Sequence, residues 1–399
     1  MTDHSWTWVS PYHVNDARGG WEAMQFHLLQ VLEARLGPAL RIAPVGIPEQ
    51  FTAKWISRVQ KQFGIPRRYA YYSETRLEAY RQRVESQLPE GLDRPVVFFG
   101  ALPFVECRPS QPYFIYTDSA FFIHYWEYNQ DHTHARTEIE RICTAEAEFM
   151  RGAECVWCSS QWVVERISEV YGISAEKVRF VGTGPGDVPQ PIQPIRYENF
   201  LVMIAADFER KGGQLAVKAV SAAREMGADL SIKFIGAKPP AEVLKLPFVE
   251  WCGWLDLKKS EDRKRFAEVM SRASAQILLS RIDLTPLAIP EAASYSKATL
   301  AAGVGGIPEM IVHGKTGWLV GTTAEADEIG SLAASIFGQS EKLKIVGEAA
   351  SVMCGNMWSW DAVAGEAVRT IREACKGLTS MSYVARNSVH LCTNSDHDT

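Results

Sequence analysis

The sequence predicts an α/β protein of two doubly wound domains facing each other across a cleft, and three observations predict it. The chain has 399 residues, too many for one ordinary hydrophobic core and about right for two. Short apolar runs alternate with helical patterns through both halves. Between the halves, "PGDVPQPIQPIRYENF" follows Gly184 with four prolines and few strong helix formers, which marks a stiff connector.

In the first half the runs "WTWVS" (6–10), "PVVFFGAL" (95–102), "YFIYTD" (113–118), "CVWCSS" (155–160) and "VRFVGTG" (178–184) have the length and continuity of buried strands. The second half repeats the alternation more cleanly. Strands are expected at "FLVMIAA" (200–206), "LSIKFIG" (230–236), "VEWCGWL" (249–255), "AQILLS" (275–280), "ATLAA" (298–302) and "GWLVG" (317–321), with helices at about 213–226 and 258–273. Short loops and right-handed connections favour strand, crossover helix, parallel strand as the repeating unit. No tandem repeat of fixed period is visible there, which argues against a solenoid. The chain closes with an amphipathic helix in "WSWDAVAGEAVRTIREACKG" and a tail without periodicity. The expected units are therefore a first domain over 1–185, a linker over 186–199, a second domain over 200–350, a terminal helix within 351–376 and a disordered tail over 377–399.

Composition excludes several classes. Hydrophobic residues make up 46% and charged residues 22%, as in an ordinary soluble domain. There is no twenty-residue apolar span and no cleavable signal in "MTDHSWTWVS", so a cytoplasmic location is expected. A net charge of −5 offers no broad attraction for nucleic acid, and leaves at most a weak peripheral contact with a membrane. Any bound anion must be held locally. The eight cysteines do not form a disulfide framework, and Cys155 and Cys158 lack a second pair at zinc-site spacing, so they are expected as reduced thiols on a buried strand. "DHD" at Asp396–Asp398 lies in a polar tail and is given no chemistry.

Three loops can hold a ligand. In "AADFERKGGQLAVKAV" a strand ends, two glycines follow and a helix starts, directing Arg210, Lys211 and free backbone amides toward one small volume suited to a diphosphate; the alternative is a solvated turn. In "SRIDLTPLAIPEAASYS", seven residues separate Asp283 from Glu291. A carboxylate at Glu291 could accept hydrogen bonds from both ribose hydroxyls of a nucleotide, and Asp283 could grip a sugar hydroxyl; a helix start at Pro290–Glu291 equally explains an acidic residue there. In "GVGGIPEMIVHGKTG", Gly314 suits a helix end, whereas Gly303, Gly305 and Gly306 before the helix leave room for a flat base or a phosphate against the main chain.

Together, "ERKGG" and "PEAASYSKATLAAGVGGIPEMIVHGKTGWLV" resemble the C-terminal nucleotide-sugar domain of family 4 glycosyltransferases, retaining enzymes of GT-B architecture with two Rossmann-like domains. The second string carries the likeness: a carboxylate, seven residues, a glutamate, a small-residue helix, a strand, a glycine-rich turn and a lysine-threonine-glycine followed by apolar residues. The resemblance is close over 200–365, and only in layout before it. There "ARGGWEAMQFHLL" resembles the glycine loop and helix facing acceptor or diphosphate, "YTDSAFF" the strand end facing the donor sugar, and "WSWDAVAGEA" the terminal helix that crosses back to the first domain.

The resemblance implies that Arg210 and Lys211 neutralise the donor diphosphate and that Glu291 holds the ribose. It sets the amides of Leu284, Thr285, Pro286, Leu287 and Ala288, as far as each has one, beside sugar and phosphate, and adds Gly19 and Gly20 from the first domain. It implies a UDP- or GDP-linked sugar as substrate, no cofactor, no metal, and as acceptor a glycan, a lipid-linked sugar or a small metabolite. Two departures stand out. The first carboxylate of the loop is Asp283 rather than glutamate, and Thr117 and Asp118 occupy a strand end where many relatives carry histidine. Asp118 either faces the donor, contacting its sugar or orienting the acceptor, or caps the helix of "SAFFIHYW". The aromatic stretch "YFIYTDSAFFIHYWEYN" either lines an acceptor groove or packs the first domain. An epimerase using the same donor pocket and a non-catalytic nucleotide-sugar binding module remain as other functions. A nicotinamide enzyme is disfavoured because no G-x-G-x-x-G follows a strand and opens a helix.

Overall fold

The computed structural model describes residues 5–14, 20–44, 46–47, 51–63, 65–67, 69–91, 94–128 and 133–375. Gly19 and the tail from 376 onward, with Asp396–Asp398, lie outside the described residues. Strands β1 (Thr7–Val9), β2 (Leu40–Ile42), β3 (Val96–Phe99), β4 (Tyr113–Thr117), β5 (Cys155–Cys158) and β6 (Val178–Phe180) form a parallel sheet in the order β2-β1-β3-β4-β5-β6. Helices α1 (Gly20–Leu36), α2 (Phe51–Gln62), α3 (Glu74–Glu85), α4 (Arg136–Gly152) and α5 (Gln161–Tyr171) connect them. Every residue of β3, β4 and β5 is buried, as expected of a parallel sheet covered on both faces. Strand β2 was not expected from the sequence: three residues at a sheet edge, only one of them buried, leave no apolar run to recognise.

The second sheet contains β7 (Phe200–Ala205), β8 (Ser231–Gly236), β9 (Val249–Gly253), β10 (Ala275–Leu278), β11 (Thr299–Ala302) and β12 (Gly317–Val320), parallel and ordered β12-β11-β10-β7-β8-β9. Around it lie α6 (Gly213–Glu225), α7 (Ser260–Arg272), α8 (Ala288–Ala293), α9 (Ile307–Met310), α10 (Ala326–Ile336) and α11 (Ser340–Met357). Strand order reverses between β7 and β10 in this sheet and between β1 and β3 in the first. In open α/β sheets the crevice outside the carboxyl ends of the strands at such a reversal is where ligands bind. The loops after β7 and β10 are those carrying Arg210, Lys211 and Asp283.

Residues 181–199 contain neither helix nor strand. The connector is fixed by contacts as well as by its prolines: Glu198 pairs with Arg272 through two bonds of 2.7 and 2.8 Å, and the Lys297 ammonium donates to the Arg196 carbonyl at 2.6 Å. A break at Trp358–Ser359 ends α11 and starts α12 (360–375). Trp360, Val363, Ala367 and Ile371 of α12 pack among Trp6, Trp8 and Leu28 of the first domain, and the Trp157 indole donates to the Thr370 hydroxyl at 2.9 Å. The last helix thus crosses back to the first sheet. Cys155 and Cys158 are free thiols on β5, with burial pushing the Cys155 thiol up to about 12. No helix among the described residues is long and apolar enough to cross a membrane.

Candidate active site

Two glycines build the cationic turn. Gly212 has φ +77, and a Cβ on it would lie 1.9 Å from the Leu279 carbonyl oxygen just past the end of β10; one on Gly213 would meet the Phe208 ring at 2.3 Å. Without side chains the turn presses onto the neighbouring strand end. The Arg210 and Lys211 amides donate to the Asp207 carboxylate (3.0 Å) and the Asp207 carbonyl (3.2 Å). This close approach joins groups 72 residues apart: Lys211 Nζ forms an ion pair with Asp283 Oδ2. The Ser280 hydroxyl donates to the same oxygen at 2.9 Å, and Arg210 Nη1 stands 4.0 Å from it. Asp283 is therefore a counter-ion held between two cations, not an isolated acceptor of hydrogen bonds.

Helix α8 begins at Ala288, two residues earlier than expected, and Glu291 lies in its first turn. Its carboxyl is desolvated enough to rise to about 7, against the lowering effect of a hydrogen bond from the Gly186 amide and of the Lys211 charge. A Cβ on Gly186 would come within 2.6 Å of Glu291 Oε1. A residue serving only the helix start would keep its carboxylate in water. Glu291 instead turns toward the connector.

The glycine-rich stretch is explained by protein, not by ligand. A Cβ on Gly305 would lie 2.1 Å from the Asp283 carbonyl oxygen, and one on Gly306 would lie 2.0 Å from that of Leu284, whereas Gly303 has ordinary space. The stretch cradles the Asp283 loop, and the expected approach of a base or phosphate to its main chain is not what empties it of side chains. It also aims Glu309 at the first domain. The Glu309 carboxylate accepts the Gln161 and Trp162 amides at 2.6 Å each, while Ser160 caps the Val163 amide. The start of α5 is thus capped from across the domain boundary.

Asp118 closes the site from the first domain. It does not cap the helix after it: the Phe121 amide donates to Glu146 Oε2 of α4 at 2.7 Å, and that carboxyl also accepts the Tyr171 hydroxyl at 2.5 Å. Asp118 lies at the carboxyl end of β4 with its carboxyl raised to about 6, by burial first and by the Asp283 charge in addition.

One cavity of about 750 Å³ between the domains is lined by Gly20, Asp118, Arg210, Lys211, Asp283, Thr285, Pro286, Leu287 and Glu291. Leu284 does not line it; its side chain packs into the core of the first domain, while the Thr285 hydroxyl meets that of Ser159 at 2.7 Å. Sequence reasoning missed Gly186 and Asp187 of the connector and the 254–258 segment after β9, which also line the cavity. The available signal was Trp254, an aromatic just past a strand end and 64% exposed. Among the described residues no group of three or more His, Cys, Asp or Glu side chains could hold a metal ion. The arrangement offers two cations and the start of α6 to an anion, and carboxyl groups on both sides of it to hydroxyls.

Two parallel Rossmann-like sheets facing across such a cleft are the GT-B architecture. Residues 198–336, the second domain from just before β7 through α10, match the family model described as "Glycosyl transferases group 1". The family match covers the second domain alone, and the match of fold extends over both domains. Among solved structures, the chain is similar to a sucrose-phosphate synthase from Thermosynechococcus elongatus, with TM-score 0.67 and 14% identity over 93% of this chain and 100% of that one. It is similar to HepE of Anabaena in complex with UDP and glucose, with TM-score 0.61 and 12% identity over 92% of this chain and 100% of that one. It is also similar to TarM of S. aureus, with TM-score 0.57 and 12% identity over 74% of this chain, and spans 58% of the length of that protein. At these identities the likeness is one of fold. No curated protein sequence matches the chain.

Proposed function

We propose that the chain transfers a hexose from a UDP- or GDP-linked donor to an acceptor hydroxyl, with retention of anomeric configuration and without a metal ion. The observation that carries this reading is the convergence of Arg210, Lys211, Asp283 and Glu291 on one interdomain cavity at the strand-order reversal of the second sheet. Breaking the sugar–diphosphate bond develops negative charge on the leaving oxygens, and preorganised cations stabilise it without reorganising. Lys211 and Arg210 are such cations. Before the donor binds, Asp283 neutralises Lys211; an arriving diphosphate takes over the ammonium, and Asp283, still held by Ser280, turns to a donor sugar hydroxyl. Glu291 takes the ribose hydroxyls. The acceptor hydroxyl then attacks from the face the diphosphate leaves, its proton passing to a departing phosphate oxygen, so no protein base is needed. Closure around the Thr285–Ser159 and Glu309–α5 contacts excludes competing water. HepE, a neighbour of this fold, has been captured with UDP and glucose, which favours a donor of the same kind here.

The test is incubation of the full chain with UDP-, GDP- and ADP-sugars, alone and with an acceptor panel, with products followed by NMR. Donor alone should give slow hydrolysis, and donor plus acceptor a product with the donor's anomeric configuration. An epimerised donor would establish the epimerase instead. Donor binding without transfer to any acceptor would leave a binding module.

A further inference from the structure

Helix α2 is amphipathic in sequence, yet among its residues whose side chains are described, 54–62, none is buried. Lys54, Arg58 and Lys61, spaced as i, i+4 and i+7, are exposed along one stripe of the helix. Trp55 and Ile56 stand beside that stripe at 60% and 41% exposure, and the apolar surface continues past the helix end with Phe63 and Ile65 at 71% and 52%. We infer that this face is a docking surface for an anionic phospholipid bilayer, with α2 lying in the plane of the headgroups. It holds whichever reaction the cleft performs.

Three observations carry it. The first is the unused apolar side. A surface helix is ordinarily held by burying its apolar stripe in the core of its own domain. Trp55, Ile56, Phe63 and Ile65 join none of the buried clusters of the first domain. Large apolar side chains grouped on a surface in this way mark an interaction site. None of them lines the interdomain cavity or a smaller one of about 290 Å³ in the first domain, so the surface is separate from both.

The second is charge. From Gln50 to Ser73 the sequence carries Lys54, Arg58, Lys61, Arg67 and Arg68, and no Asp or Glu. A helix made only to be solvated interleaves opposite charges at i and i+4. The net charge of −5 hides this segregation. An anionic bilayer attracts the basic stretch and repels the acidic remainder of the chain, which selects the face presented.

The third is the arrangement of the two chemistries. Tryptophan and phenylalanine rings insert at the boundary between headgroups and acyl chains. Lysine and arginine beside them keep their charged ends at the lipid phosphates while their stems lie along apolar surface. Side chains that project separately along a helix suit a fluid surface that closes around each of them.

The test is sedimentation of the full chain with vesicles of phosphatidylcholine alone, and of phosphatidylcholine mixed with phosphatidylglycerol, at low and high salt. Binding should require the anionic lipid and weaken as salt rises. Lys54→Gln, Arg58→Gln and Lys61→Gln together should weaken it about 100-fold, at about fivefold for each cation. Trp55→Ala with Phe63→Ala should weaken it about tenfold or more by removing apolar area from the interface. Both variants should melt like the wild type, because no replaced side chain is buried. No sedimentation with the anionic vesicles, or sedimentation that neither set of substitutions weakens, overturns the inference. So does a dimer in analytical ultracentrifugation that Trp55→Ala with Phe63→Ala dissolves, which would make a second copy of the chain the occupant of this face.

Discussion

Glu291 carries the most diagnostic chemistry of any single residue. Its carboxyl stands at about 7, raised chiefly by desolvation. Ribose hydroxyls donate to the ionised form, so nucleotide affinity should climb as pH rises from 6 to 8 and flatten above the carboxyl pKa. Calorimetry with UDP and GDP at both pH values checks this, with Glu291→Gln as reference because the nucleotide's own phosphate titration, near pH ~6, is common to both proteins. The wild type should gain several-fold over the variant across that interval; parallel curves would remove Glu291 from the nucleotide site. At this scale the sequence was informative in setting Arg210 and Lys211 just after a strand end, where they line the cavity. It was silent on pairing. That Lys211 meets Asp283, or that Glu291 rests on Gly186, follows from turns pressed together by Gly212 and from a connector folded back over α8, neither of which local spacing encodes.

Among the elements, the continuous apolar runs of β3, β4, β5 and β7 were legible because parallel strands are buried on both faces. Strand β2 was not, since a three-residue edge has no pattern. The glycine run before α9 was legible as a feature but not in its cause: the atoms that exclude its side chains belong to the Asp283 loop, some twenty residues back in the chain. The same stretch yields a prediction about the domain boundary. Glu309 caps the first two amides of α5 from the opposite domain, and losing a cap of this kind costs about 1–2 kcal/mol. Glu309→Ala should therefore weaken the closed arrangement. Small-angle scattering of the nucleotide-free variant should report a larger radius of gyration, returning toward the wild-type value on adding UDP or GDP. An unchanged radius would mean that Leu284, Thr285 and α12 hold the domains without Glu309.

For the whole molecule, the decisive property is that two strand-order reversals face each other. One supplies the cationic turn and the Asp283 loop, and the other supplies Gly20, with Asp118 coming from the end of the neighbouring β4. The two-domain α/β architecture was readable from length, alternation and the proline connector. The facing of the cavities was not, because it depends on α12 crossing back and on contacts such as Thr285–Ser159 that join positions 126 residues apart. The account as a whole stands on the diphosphate lying against Lys211. Calorimetry of UDP and GDP, with the parent nucleosides as controls, against wild type and Lys211→Ala tests it most directly. Removing a charge-assisted bond worth about 1.5–3 kcal/mol should weaken the diphosphate by about 10- to 100-fold and leave nucleoside binding unchanged. A variant that melts like the wild type and binds both diphosphates equally tightly would contradict it.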